Sequence, residues 1–335
     1  MQTFCALPCH LTKLFPHGIL PSALVAFGGR EFWLLCQFGF VGDFVSEHPF
    51  ETRPVVAIIQ ARMASSRLPG KVMKPIGGKP MLEWVVRRAR SASRVDLVVV
   101  ATTTAPSDDE LAAWCALQGI PCYRGHPYDV LDRYYKAAFA YRAAVVVRLT
   151  ADCPFLDPDL VDELVDRFLS ASPRLDFAAN RLPQPWGRSF PIGLDAEVMT
   201  AEALERAWRE ADEPHQREHV TPYFYDDAAV DALRFDENAP RWRETSTPRG
   251  FRIALWHAHS PLGDLRWTVD TPQDLQFAHA LAALLPDGDF SWRTILRLLG
   301  EHPELQKINA NVKHKTHRDV DERMIEGEKP ENDFV

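Results

Sequence analysis

The chain has 335 residues, 46% of them hydrophobic and 25% charged, with a formal net charge of −8 at pH 7. This length allows one or two domains, and the composition supports a globular core of ordinary size. The acidic balance excludes a global basic field of the kind that holds nucleic acid, so an anionic ligand needs a local cluster of cations.

Residues 1–53 differ in pattern from the rest of the chain. Apolar pieces such as I-L-P-S-A-L-V-A-F (19–27) are interrupted by Pro21, Gly28, Gly29, Arg30 and Glu31. No run reaches the roughly 18 apolar residues of a membrane span, and the charge and cleavage pattern of a secretory signal is poor. The expectation is a dispensable, poorly ordered extension, as an upstream start assignment would produce. The six cysteines, Cys5, Cys9, Cys36, Cys115, Cys122 and Cys153, form no C-x-x-C pair. They read as reduced thiols of a cytoplasmic protein.

The organised chain begins at residue 55. Five apolar residues (55–59), rich in β-branched types, predict a buried strand. The loop A-R-M-A-S-S-R-L-P-G-K (61–71) follows, then G-G-K-P (77–80). Arg62, Arg67 and Lys71 fall within ten positions after a strand's carboxyl end, where open α/β sheets bind ligands. Small residues interleaved with cations suit a polyphosphate; an ordinary charged surface loop is the alternative. Gly70-Lys71 is followed by Val72, so this is not a P-loop, and G-x-G-x-x-G is absent.

Pro80 opens a helix with Met81, Leu82, Val85, Val86 and Ala89 on one face. A second strand covers 96–102. Ser107 to Glu110 reads as a capping box for a helix that stops at Gly119. A short strand at 121–124, a helix over 129–142 and a very apolar, central strand at 144–149 come next. Asp157-Pro158 starts a helix with Leu160, Val161, Leu164, Val165 and Phe168 inward. This alternation predicts a doubly wound, mostly parallel sheet with helices on both faces.

Residues 175–270 are less regular. Expected here are a strand at 176–180, a proline-rich loop at 181–193, and a strand at 194–199 with Asp195 and Glu197 on one face. Thr200 caps a helix, 226–250 is weakly patterned, and late strands fall at 251–257 and 265–269. Thr271-Pro272 opens another helix and 292–299 forms the last. The folded domain is expected to span 54–305, with 306–335 a charged, partly disordered tail.

Two acids complete the pattern. Asp152 in T-A-D-C-P (150–154) and Asp270 in V-D-T-P-Q-D-L (269–275) each follow a strand-like run. If the two strands are neighbours in a parallel sheet, both carboxylates enter one crevice and suit Mg²⁺. Taken singly, each fits a strand-end turn or helix cap equally well.

The loop A-R-x-x-S-x-R-L-P-G-K followed by G-K-P-M resembles the opening of the cytidylyltransferases that activate sugar acids, the CMP-Kdo and acylneuraminate type, and within them the spore-coat polysaccharide branch. The resemblance covers about residues 54–312. It implies a GT-A-like nucleotidyltransferase fold and coupling of CTP to a sugar or sugar acid with release of pyrophosphate, in surface glycan precursor synthesis. It further implies Mg²⁺ on Asp152 and Asp270, with Arg62, Arg67 and Lys71 on the triphosphate. Backbone from Ala61 through Ser65 and Ser66 would cradle the phosphates. Ala151 stands where the family has glycine. Arg124 and Gly125, with D-V-L-D-R (129–133), match the spore-coat branch and would line the nucleotide site, unless they mark a surface helix start. Asp195, Glu197, Arg217 and His219 would face the acceptor, although a buried histidine accounts for His219 as well. His257 and His259 share a strand face but lack a third metal ligand. A homodimer is expected by resemblance. Two other readings share the sequence features: a glycosyltransferase consuming a nucleotide sugar, and a non-catalytic nucleotide-sugar-binding protein.

Overall fold

The computed structural model describes residues 54–286 and 288–313. The expected extension over 1–53 and most of the expected tail lie outside the described residues. In chain order the elements are β1 (Val55–Gln60), β2 (Pro75–Ile76), β3 (Lys79–Pro80), α1 (Met81–Ser91), β4 (Leu97–Thr103), α2 (Asp109–Leu117), β5 (Cys122–Gly125), α3 (Val130–Ala140), β6 (Val145–Thr150) and α4 (Pro158–Ser170). Then come β7 (Phe177–Ala179), β8 (Glu197–Thr200), α5 (Ala201–Glu210), α6 (Pro214–His219), α7 (Pro222–Tyr225), α8 (Val230–Leu233), β9 (Trp242–Ser246), β10 (Arg252–Trp256), α9 (Pro272–Ala282) and α10 (Trp292–Glu301).

Eight strands form one sheet in the order β5-β4-β1-β6-β8-β7-β10-β9. Strands β5, β4, β1 and β6 pair parallel. Strand β8 enters antiparallel between β6 and β7, and β9 closes the edge antiparallel to β10. The sheet is therefore mostly parallel, as the β–α alternation implied. Pleating sends alternate residues of β1 to opposite faces. Val55, Ala57 and Ile59 join a core with α1, α4, α9 and α10. Val56 and Ile58 join a second core with α3, α5 and α7. A sheet covered on both faces needs apolar residues on both, which explains the uninterrupted apolar runs of β1, β4 and β6.

Several expectations are corrected. Ser107–Glu110 makes no capping box: Pro106–Asp108 is a 3₁₀ turn, and the Asp108 side chain turns away from α2. Strand β9 lies in a stretch whose polar sequence hid it, because an edge strand keeps one side toward water. Residues 265–269 are not a sheet strand; their one bridge pairs Arg266 with Ile192. The packed chain also continues past 305, with Leu305 and Asn309 buried. Among the described residues no helix is long and apolar enough to cross a membrane, and Cys115, Cys122 and Cys153 carry free thiols.

Candidate active site

The loop after β1 is a closed turn. The Met63 carbonyl accepts from the N–H groups of Ser65 and Gly70, both at 2.9 Å. Gly70 sits at φ 67°, a left-handed conformation that only glycine adopts cheaply. This reversal sends Lys71 back toward the sheet. Asp108, 1% exposed, holds the turn from below. One of its oxygens accepts from Met63 N–H at 2.8 Å, and the other from the hydroxyls of Thr102 and Thr103. The expected backbone cradle is thereby narrowed. The N–H groups of Ala61, Met63 and Ser65 all donate within the protein. Ser65 is half-buried with its hydroxyl toward Leu68 N–H, and Ser66 is exposed.

Asp152 follows β6, and its outer oxygen lies 2.8 Å from Lys71 Nζ. The Thr150 hydroxyl donates to the other oxygen at 2.6 Å. Asp270 arrives by a route that bypasses the sheet. Gly193, at φ 109°, has no room for a side chain: a Cβ would meet Thr268 N at 2.7 Å. This close approach lets the Ile192 carbonyl accept from Trp267 and Thr268. The Asp152 carbonyl in turn accepts from Val269 N–H at 2.8 Å and the Thr268 hydroxyl at 3.0 Å. The two acid-bearing segments are thus hydrogen-bonded together outside the sheet, and both carboxylates reach one ammonium: Lys71 Nζ is also 2.8 Å from Asp270.

Asp270 is further paired with Arg67 at 3.0 Å and Arg266 at 2.8 Å. Arg266 in turn grips Asp274, which accepts from Asn309 at 2.9 Å. The expected helix cap is present, with Thr271 and Asp274 exchanging bonds at the start of α9. Burial opposes ionisation of Asp270, but the charges of Lys71, then Arg67 and Arg266, outweigh it and hold its carboxyl well below the usual carboxylate range. Burial likewise pulls on Lys71, and Asp152 and Asp270 together keep it above its ordinary value. Side-chain exposures of 12% for Lys71, 27% for Asp152 and 14% for Asp270 leave the cluster reachable from solvent. Ala151 is buried in the core, and its N–H donates to the Gln60 carbonyl.

Other expected site residues are placed differently. Arg124 donates to the carbonyls of Thr103 and Ala105 and pairs with Asp109, bracing the β4–α2 connection. Gly125 ends β5 tightly packed, where a Cβ would lie 2.9 Å from the Tyr123 ring. Glu197 is 3% exposed because β8 is an interior strand. It faces Arg148 across the β6–β8 register, at 2.6 Å. Arg217 ties α6 to the cap residue of α3 through Asp129. His219 ends α6, half-buried. Arg62 is half-buried at the loop's start, close enough for its charge to act on Arg133. Asp195 pairs with Arg188; burial, then Asp152 and Asp195, push the Cys153 thiol well up, which sets Asp195 near the acid cluster. Asp108, Arg266 and Asn309 support the site without being evident from sequence pattern. Only Asp108 carries a signal there, in the S-D-D-E run that reads as a cap.

The fold is that of a nucleotidyltransferase. A cytidylyltransferase from Leptospira borgpetersenii serovar Hardjo-bovis is similar at a TM-score of 0.65 and 28% identity, covering 78% of this chain and 98% of that one. The sequence model of the cytidylyltransferase family matches residues 56–257. The chain belongs to the cytidylyltransferase family. It is 32% identical over 256 residues to the spore coat polysaccharide biosynthesis protein SpsF of Bacillus subtilis, covering 75% of this chain and 95% of the relative. It is 30% identical over 248 residues to a 3-deoxy-manno-octulosonate cytidylyltransferase of Anaeromyxobacter dehalogenans, covering 69% and 98%.

Proposed function

We propose that the protein transfers the cytidylyl group of CTP to a sugar acid or related sugar, releasing pyrophosphate, with Mg²⁺ as cofactor. The observation that carries this reading is the single ammonium of Lys71 held between the carboxylates of Asp152 and Asp270. An acceptor hydroxyl attacks the α-phosphorus of CTP, the bond to the β-phosphate oxygen breaks, and negative charge gathers on the phosphate oxygens. Stabilisation is therefore mainly electrostatic and positional. Arg62, Arg67 and Lys71 supply fixed positive charge along the turn. Lys71 has three donors, two of them engaged by the carboxylates, which leaves one for a phosphate oxygen.

The donor set suits magnesium. Among the described residues there is no cluster of three or more His, Cys, Asp or Glu side chains arranged for a metal. A pair of convergent carboxylates is what Mg²⁺ takes from a protein when phosphate and water complete its shell. Asp152 and Asp270 would hold it, and it would supply countercharge to the phosphate oxygens. The test is a screen of the four nucleoside triphosphates against a panel of sugar acids, read by pyrophosphate release with and without Mg²⁺. Release with CTP and a sugar acid, abolished by chelation, is the expected result. Release with no acceptor, or with a purine triphosphate alone, would overturn the reading.

A further inference from the structure

Two cysteines meet on the face of the sheet that α2 covers. Cys115 lies in α2, 0% exposed, and Cys122 opens β5, half-buried. We propose that they are a hydroperoxide-reactive pair: Cys122 is oxidised first, and Cys115 then closes a reversible disulfide between α2 and β5. This modification site is independent of the cytidylyl-transfer reading.

Three observations support it. The first is how the chain brings the two sulfurs together. After α2 the Ile120 N–H donates to the Cys115 carbonyl at 2.9 Å, and Gly119, at φ 59°, makes the reversal. The Pro121 carbonyl then accepts from Val100 N–H, which seats β5 beside β4 with Cys122 opposite Val100. Pleating turns Cys122 toward the core that holds Cys115, while Tyr123 joins the core on the other face. There the two thiols hydrogen-bond to each other. Sulfurs this close need only a small approach to bond at about 2.05 Å. The second is access. Strand β5 is the outer strand of the sheet, so a small oxidant reaches Cys122 from solvent, and Cys115 is sealed beneath it.

The third is charge. Arg124 lies two residues after Cys122, on the same face of β5. The hydrogen bond from Cys115, and then the charge of Arg124, hold the Cys122 thiol below its ordinary value, against burial and the charge of Asp108. The same hydrogen bond, and then burial, hold Cys115 above its ordinary value. A sulfur with thiolate character beside a protonated one makes an attacking and a resolving pair. Cys153 is built the other way: it is buried, its sulfur meets Thr150, Asp152 and Thr268, and its thiol is pushed well up. In the reaction the Cys122 thiolate attacks a peroxide oxygen, the O–O bond breaks and hydroxide or alkoxide leaves, giving a sulfenic acid. The Cys115 sulfur then attacks the Cys122 sulfur, the S–O bond breaks, and the hydroxyl leaves with the Cys115 proton as water. Two thiols are oxidised and one hydroperoxide is reduced. The bond fastens the far end of α2 to β5, as the Arg124–Asp109 ion pair at 2.7 Å fastens the near end.

The test uses the full chain with hydrogen peroxide as the probe, on wild type, Cys122→Ser and Cys115→Ser, and dimedone to trap sulfenic acids. Trypsin leaves both cysteines in the 95–124 peptide, which mass spectrometry reads without reductant. In wild type that peptide should become two hydrogens lighter and closed to iodoacetamide until dithiothreitol is added. Cys115→Ser should carry a dimedone adduct on Cys122, and Cys122→Ser should show neither product. Free Cys122 should disappear roughly tenfold faster than free Cys153, and the two rates should converge once urea unfolds the chain. Far-ultraviolet spectra report folding of the variants, and the wild-type peptide decides the proposal by itself if Cys115→Ser does not fold. Equal rates for Cys122 and Cys153 in the folded protein, a dimedone adduct on Cys115 in Cys122→Ser, or Cys122 oxidised in wild type without closing on Cys115 would overturn it.

Discussion

Two groups of paired charge flank β6, and they differ in how far each is open to solvent. Inside the sheet, Arg148 and Glu197 form a buried pair: Arg148 also donates to Gln60, and Thr221 donates to the second Glu197 oxygen. At the strand's end, two carboxylates converge on one lysine and remain partly open to solvent. The first group sits where water cannot compete, so breaking it leaves a buried charge. The second joins like charges through a shared cation, an arrangement that another cation can enter. The same residue types therefore hold the interior together and make a candidate chemical centre one turn beyond it.

This contrast can be broken from either side. Asp152→Asn and Asp270→Asn should each lower pyrophosphate release by roughly 10²–10³-fold, as loss of a fixed electrostatic group does, with an unchanged far-ultraviolet spectrum. Near-normal turnover in both variants would remove the carboxylates from the chemistry. Glu197→Gln should do the opposite. It strands Arg148 in the interior and should cost about 3 kcal/mol of stability, read by urea denaturation, while turnover per folded molecule is kept. A stable but inactive Glu197→Gln protein would move that pair into the site. Lys71→Ala should raise KM for CTP by roughly tenfold or more, the worth of a hydrogen bond to a charged group; unchanged kinetics would take Lys71 off the phosphates.

The smallest effect concerns pH. His257 is buried, with Nε2 on the Leu233 carbonyl and Nδ1 facing the Ser189 hydroxyl. Burial lowers its pKa below 6.5, against the pull of that carbonyl and with help from the charges of Arg243 and Arg241. The unfolded chain takes up the proton more readily, so the contribution is complete above pH 6.5 and is lost as pH falls toward the lower folded value. Urea midpoints should drop between pH 7.5 and 5.5 in wild type and drop less in His257→Gln. Identical slopes would contradict this.

Local features were the legible ones. The strand–turn from residue 55 to Lys71, the Asp157 and Thr271 caps and the two acids are written in contiguous residues. What the sequence hid is long-range. Asp108 meets Met63 across 45 positions, and Asn309 meets Arg266 across 43. The run at 265–269 alternates in polarity like a strand, yet Arg266 and Thr268 are buried along with Trp267 and Val269, and its backbone partners are the Ile192 and Asp152 carbonyls. Alternation of residue type does not report what the backbone pairs with. For Glu197, the apolar neighbours suggest a half-exposed strand with the carboxylate toward a substrate. Insertion of β8 between β6 and β7 buries both faces, and only the paired Arg148, 49 positions away, makes a carboxylate tolerable there.

The most direct measurement is a crystal structure of the protein with CTP and Mn²⁺ in place of Mg²⁺, the metal located by its anomalous scattering. The account expects one peak bonded to oxygens of both Asp152 and Asp270, with the triphosphate along Arg62 to Lys71. A peak away from these two carboxylates, or CTP seated elsewhere with the Lys71 bridge undisturbed, would contradict it.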